Sequence, residues 1–195
     1  MSDYIDCHYA HARADRVRRP YLDDAIASGT AVVGGGLAGL TITLELARRG
    51  HSVALIEGRR VGWGASGRNG GFCAPGYATG YDAIARMAGA ETARELLDLS
   101  RDGVGYVADN LAAFGHPVGP ARRGHVSARR VPARADLERY RDKMAALGYE
   151  LRVQGVEETR AQLKSPAYFE SIVEPSCFGM QPLDYALAMA REMSS

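Results

Sequence analysis

The segment Ala31-Val-Val-Gly-Gly-Gly-Leu-Ala-Gly39 constrains this chain more than any other. Apolar residues lead into a glycine turn, and a helix-patterned run follows. Its stripe is Leu37, Leu40, Leu44 and Ala47, at helical spacing. Gly50 stands where that helix should stop, after Arg48 and Arg49. Ser52-Val-Ala-Leu-Ile-Glu57 then reads as a second strand ending in an acid. Strand, glycine turn, helix, strand, acid is the order a dinucleotide phosphate needs. Gly34 permits the tight turn, Gly36 lets the backbone approach a pyrophosphate, and Gly39 lets helix and strand pack closely. The helix start, at Leu37 and Ala38, offers free N–H groups and the positive end of the helix dipole. Glu57, followed by Gly58, lies roughly 20 residues past the glycines, where a carboxylate accepts hydrogen bonds from ribose hydroxyls.

The competing reading is an ordinary βαβ unit with a glycine-rich turn. The apolar lead-in, the helix stripe, the Gly50 stop and the terminal acid favour the dinucleotide site. The first strand is short, because a buried parallel strand usually runs about five residues. Either it stays short or residues 28–30 are drawn into it. Glu57 disfavours NADP, since a carboxylate repels a 2′-phosphate. Arg59 and Arg60 read as solvated charges after the strand. NAD and FAD both carry free ribose hydroxyls, so the fingerprint leaves them open.

A second glycine-rich stretch follows at Val61-Gly-Trp-Gly-Ala-Ser-Gly-Arg-Asn-Gly-Gly71. It can offer a ligand backbone N–H groups, a hydroxyl and a guanidinium. Composition alone fits a flexible surface loop equally well. The sequence from Gly34 to Gly39, Glu57 and residues 62–71 together resembles the D-amino-acid oxidase-like superfamily of FAD-dependent oxidoreductases. The nearest branch is the one with glycine oxidase, sarcosine oxidase and gamma-glutamylputrescine oxidase. The Ala-Ser-Gly-Arg-Asn-Gly-Gly string is far more specific than the glycine fingerprint. By this resemblance Ala65, Ser66, Arg68, Asn69, Gly70 and Gly71 lie along the FAD pyrophosphate towards the flavin. Tyr9-Ala10 and Arg19-Pro20 resemble the family's lead-in. Gln181-Pro-Leu-Asp-Tyr-Ala186 resembles a family string but departs from it at Gln181 and Asp184.

The resemblance implies an α/β fold: a Rossmann-like FAD-binding βαβ domain, then the start of a mixed-sheet substrate domain, incomplete at the C-terminus. It implies oxidation of the carbon–nitrogen bond of a small-molecule amine or amino acid, with hydride passing to the flavin. It assigns no catalytic residue here. It covers nearly the whole chain but only part of the family's length, so an amino-terminal portion is expected. A non-catalytic remnant and an NAD-dependent reductase on the same fingerprint are the other two readings.

A chain of 195 residues forms one large or two small domains and can bury about 70 % of its surface. With 24 % charged residues and a net charge of +1, nothing points to nucleic acid or a membrane surface. No apolar run approaches a membrane span. The start lacks a signal pattern, and the arginines at 13, 16, 18 and 19 read as a solvated arm. Cys7, Cys73 and Cys177 are far apart, an odd set that fits a reducing cytoplasm. Cys73 is nearest the glycine-rich loop but reads as a small buried thiol. No metal site is expected: of the five histidines only His8 and His11 are closely spaced. His125, Arg122, Arg123, Tyr77 and Tyr81 are weaker substrate-facing candidates. Composition sets no oligomeric state.

The expected organisation is an irregular lead-in over 1–28, an FAD-binding region over 29–115 and a partial substrate domain over 116–195. Within it, a helix is expected from Tyr81 to Phe114, weakened at Gly103 and Gly105 and ended by Gly115. Strands are expected at 124–128, 149–153 and 177–180. Helices are expected at 133–147, with Leu137, Tyr140, Met144 and Leu147 inward, at 157–163, and after Pro182.

Overall fold

The computed structural model describes residues 4–13, 18–19, 21–114 and 122–193. Pro20, Gly115 and His116, and the side chain of Arg122, lie outside the described set. The chain divides into two compact units. The first comprises Met1–Phe72, Ala108–Ala121 and Met180–Ser195, and the second Cys73–Val107 and Arg122–Gly179.

In the first unit, α1 (His8–Ala12) precedes β1 (Thr30–Val33), α2 (Leu37–Arg48) and β2 (Val53–Ile56). A 3₁₀ turn covers Ala65–Gly67. β1 and β2 pair in parallel, Thr30 with Val53 through Val33 with Ile56. β1 takes in Thr30 but not Ser28 or Gly29, so the strand is short at four residues. It is not deeply buried, however: Val33 is 84 % exposed. α2 buries Leu40 and Leu44, two members of the expected stripe. It ends where expected: Gly50 has φ +77°, and its N–H donates to the Ala47 carbonyl at 2.9 Å. The later helix α7 (Pro182–Glu192) buries every residue from Pro182 to Ala190, more than one apolar face. The polar members of that run have partners. The Gln181 side-chain oxygen caps the helix, accepting from the Asp184 N–H at 2.9 Å. Asn110, at the far end of α4 (Ala90–Ala113), links Arg48 and Tyr185.

In the second unit, α3 (Tyr81–Ala88) and the first part of α4 replace the single expected helix. The break falls at Gly89, φ +89°, and not at Gly103 or Gly105. Those two glycines lie inside α4 and are exposed, flanking the buried Val104. Tertiary packing outweighs their intrinsic cost of about 1 kcal/mol each. β6 (Ser171–Gly179) pairs antiparallel with β4 (Arg122–Ala128) and β5 (Arg152–Gln154). The short β3 (Phe72–Cys73) completes the strand order β3-β6-β4. α5 (Arg134–Ala146) and α6 (Val156–Leu163) fall where expected. The core joins Leu97, Leu137, Met144, Tyr149, Leu151 and Ile172. Tyr140 departs from the expected inward face and is 49 % exposed.

β6 begins six positions before the strand expected at 177–180 and carries Pro175 inside it. The fold accommodates it: β4 pairs His125 with Glu174 and Arg123 with Phe178, with a register shift between. Pro175 sits at that irregularity, exposed, where a missing N–H is tolerated.

Candidate dinucleotide site

The two glycine-rich segments meet at the start of α2. Gly34 turns off β1 at φ +105°, and its N–H donates to the Ile56 carbonyl at 2.8 Å. Gly36 is the N-cap of α2 and has no side chain to cap it. The Ser66 hydroxyl does so instead, accepting from the Leu37 N–H at 3.0 Å. A Cβ on Gly36 would lie 3.0 Å from that hydroxyl oxygen. A Cβ on Gly39 would lie 2.0 Å from the Gly34 carbonyl oxygen, so only glycine lets the helix sit this close. The roles expected of Gly34 and Gly39 are thus visible in the backbone.

Glu57 reaches back to this turn. One carboxylate oxygen accepts from the Gly35 N–H at 2.6 Å, the other from the Arg59 N–H at 2.7 Å. Both lone-pair faces used here leave the carboxylate fixed at the end of β2. The Gly62 N–H donates to the Gly35 carbonyl at 2.8 Å, so both polar groups of Gly35 are tied to the segment after β2.

The remaining loop residues behave differently. Ala65 begins the 3₁₀ turn, and the Arg68 N–H donates to its carbonyl. The Arg68 side chain folds onto its own loop, with Nε 3.2 Å from both the Trp63 and Gly64 carbonyls. Asn69 braces the turn, donating to the Ser66 carbonyl at 2.9 Å and accepting from the Gly71 N–H at 2.8 Å. Gly71, at φ +68°, approaches Met180: an added Cβ would meet that carbonyl at 2.1 Å. Ala38 lies in the first turn of α2, while Gly58 and Gly70 are exposed. Sequence reasoning missed Arg59 stacked on Trp63, 3.8 Å from guanidinium carbon to ring centroid. It also missed Tyr4, whose hydroxyl donates to the Val61 carbonyl at 2.8 Å. No periodic pattern marks either contact.

The donor set suits a dinucleotide. A helix start capped only by the Ser66 hydroxyl, a glycine turn without side chains and a fixed carboxylate match a pyrophosphate joined to a ribose diol. Outside this turn, Cys73 and Cys177 are free thiols. Burial raises Cys73, and burial followed by a hydrogen bond with Glu174 pushes Cys177 up to about 12. Neither is a reactive thiolate at neutral pH. Among the described residues no His, Cys, Asp and Glu cluster is suited to a metal ion. None of the described helices is long and apolar enough to cross a membrane.

Comparison with known proteins agrees with this geometry. The family model described as FAD dependent oxidoreductase (DAO) matches residues 30–195. The probable oxidoreductase OrdL of Haemophilus influenzae is 25 % identical over 192 residues, covering 97 % of this chain and 44 % of its own length. The gamma-glutamylputrescine oxidoreductase of Escherichia coli is 27 % identical over 191 residues, covering 97 % and 45 %. This chain therefore spans less than half the length of these relatives. Among solved structures, L-amino acid deaminase from Proteus myxofaciens shares the fold with a TM-score of 0.70 at 20 % identity, over 91 % of this chain and 38 % of that one. The chain belongs to the DAO family of FAD dependent oxidoreductases.

Proposed function

We propose that the chain holds FAD across the glycine turn and residues 62–71, and that the protein oxidises the carbon–nitrogen bond of a small amine or amino acid. The carrying observation is the Ser66–Leu37 hydrogen bond, which brings both glycine-rich segments to one helix start. On this reading the α2 N–H groups and Ser66 bind the pyrophosphate, with Gly34, Gly36 and Gly39 keeping it free of side chains. Glu57 binds the ribose hydroxyls. Asn69, Gly70 and Gly71 shape the loop towards the flavin end, and Arg68 is available to it. FAD, when bound, supplies the electron acceptor of the redox step. A relative named gamma-glutamylputrescine oxidoreductase supports this substrate class, and the fold is shared with a glycine oxidase. We also place the protein in the cytoplasm, on its three free cysteines.

Equilibrium dialysis of the chain against FAD and, separately, against NAD tests the reading. Retention of FAD in preference to NAD is expected. Retention of NAD without FAD would replace the reading with a nicotinamide enzyme.

A further inference from the structure

Tyr4, among the described residues before β1, reaches the segment after β2. Tyr4 donates to the Val61 carbonyl, and its ring packs under two guanidiniums, Arg60 at 4.7 Å and Arg13 at 5.1 Å. Val61 is buried, and the next N–H, from Gly62, donates to the Gly35 carbonyl. Two hydrogen bonds and one peptide unit therefore connect Tyr4 to the glycine turn. Glu57 closes the same segment from the other side, through Gly35 and Arg59.

Between these elements lies a cavity of about 370 Å³. Such a volume falls within the range of small-molecule sites. Leu55, Ile56 and Glu57 are among its lining residues. Tyr4, Arg19, Tyr21 and Arg60 are among its other lining residues. A flat heterocycle stacks well on tyrosine rings and guanidinium planes, and a diol joined to it suits the carboxylate.

We infer that the segment around Tyr4 forms one wall of the adenosine end of the cofactor site, with Tyr4 as the positioning residue that fixes the turn after Glu57. The inference rests on the FAD reading above. A pyrophosphate held at α2 puts the adenosine on the Glu57 side, and Glu57, Gly58 and Arg59 line the cavity together with Tyr4. Arg60 lies over the ring of Tyr4 and also lines the cavity.

The test uses the full chain and three probes: FAD, ADP and inorganic pyrophosphate, each titrated by calorimetry. Tyr4→Ala is expected to weaken ADP and FAD by the same factor, about tenfold, and to leave pyrophosphate unchanged. Tyr4→Phe keeps the ring and loses the hydrogen bond to Val61. Its ADP affinity is expected to fall about threefold, which decides the matter if Tyr4→Ala does not fold. Unchanged ADP affinity in the folded variants overturns the inference while FAD binding by the wild-type chain upholds the cofactor reading. Equal losses for ADP and pyrophosphate also overturn it, because a general loosening of the fold weakens both. Failure of the wild-type chain to bind either FAD or ADP removes the cofactor reading and the inference together.

Discussion

The Ser66 hydroxyl accepts a hydrogen bond from the Leu37 N–H at 3.0 Å, across 29 residues of chain. This contact uses an acceptor lone pair of the hydroxyl and leaves its proton free to turn outward. A helix start capped this way remains a donor surface, which is what an anion requires.

Ser66 variants separate capping from ligand binding. Ser66→Ala removes the acceptor and is expected to cost about 1 kcal/mol of stability, read as a lower denaturant midpoint. Ser66→Asp keeps an acceptor for Leu37 but sets a negative charge beside the proposed pyrophosphate position. It is expected to retain the midpoint and to lose at least about tenfold in FAD affinity, measured by flavin fluorescence. Wild-type affinity in Ser66→Asp would show that the phosphates lie elsewhere.

Gly39→Ala tests the close approach of α2 to β1. The new Cβ would fall 2.0 Å from the Gly34 carbonyl oxygen, which belongs to backbone and cannot swing aside. A loss of about 1–3 kcal/mol is expected in denaturant unfolding, with weaker FAD binding because the turn must shift. An unchanged midpoint would mean that the helix stands farther from the strand.

How much of this was legible in the sequence differs by element. The turn from Gly34 to Gly39, the Gly50 stop and the Pro182 helix start are local chemistry, set by positive φ, close packing and a missing N–H, so residue types reveal them. The break at Gly89 is another positive-φ glycine, but flanking alanines hid it within a continuous helical pattern. Pro175 concealed half of β6, because the bulge that tolerates it is built by β4, a separate strand. Within the site, Glu57 and Ser66 were legible as candidate ligand groups. That they first bind the turn itself was not, since those contacts join residues distant in sequence. Tyr4 is the extreme case: a single aromatic near the chain start, whose partner Val61 is fixed only by the tertiary fold.

Asn110 is buried at 3 % exposure between Arg48, 2.8 Å away, and the Tyr185 hydroxyl, 3.3 Å away. Asn110→Ala deletes both bonds in a dry environment. The expected loss is about 1–3 kcal/mol, and FAD affinity is expected to hold once the variant is folded. Thermal unfolding with and without cofactor measures both quantities.

Cys177 gives the second unit a pH signature. Its thiol is held protonated up to about 12, by burial first and the Glu174 hydrogen bond second, against an ordinary value of 9.0. Because the folded value is raised, the associated stability is complete below about pH 9. It falls as pH climbs from there towards about 12, since the unfolded chain ionises first. Cys177→Ser is expected to flatten stability across that window relative to the wild-type chain. An identical slope in both would assign the alkaline loss to other groups.

The most direct measurement is the visible absorption spectrum of the purified chain after reconstitution with FAD and removal of free cofactor. The account predicts a retained flavin spectrum, shifted from that of free FAD by the site around Ser66 and Glu57. A folded but colourless chain would contradict it.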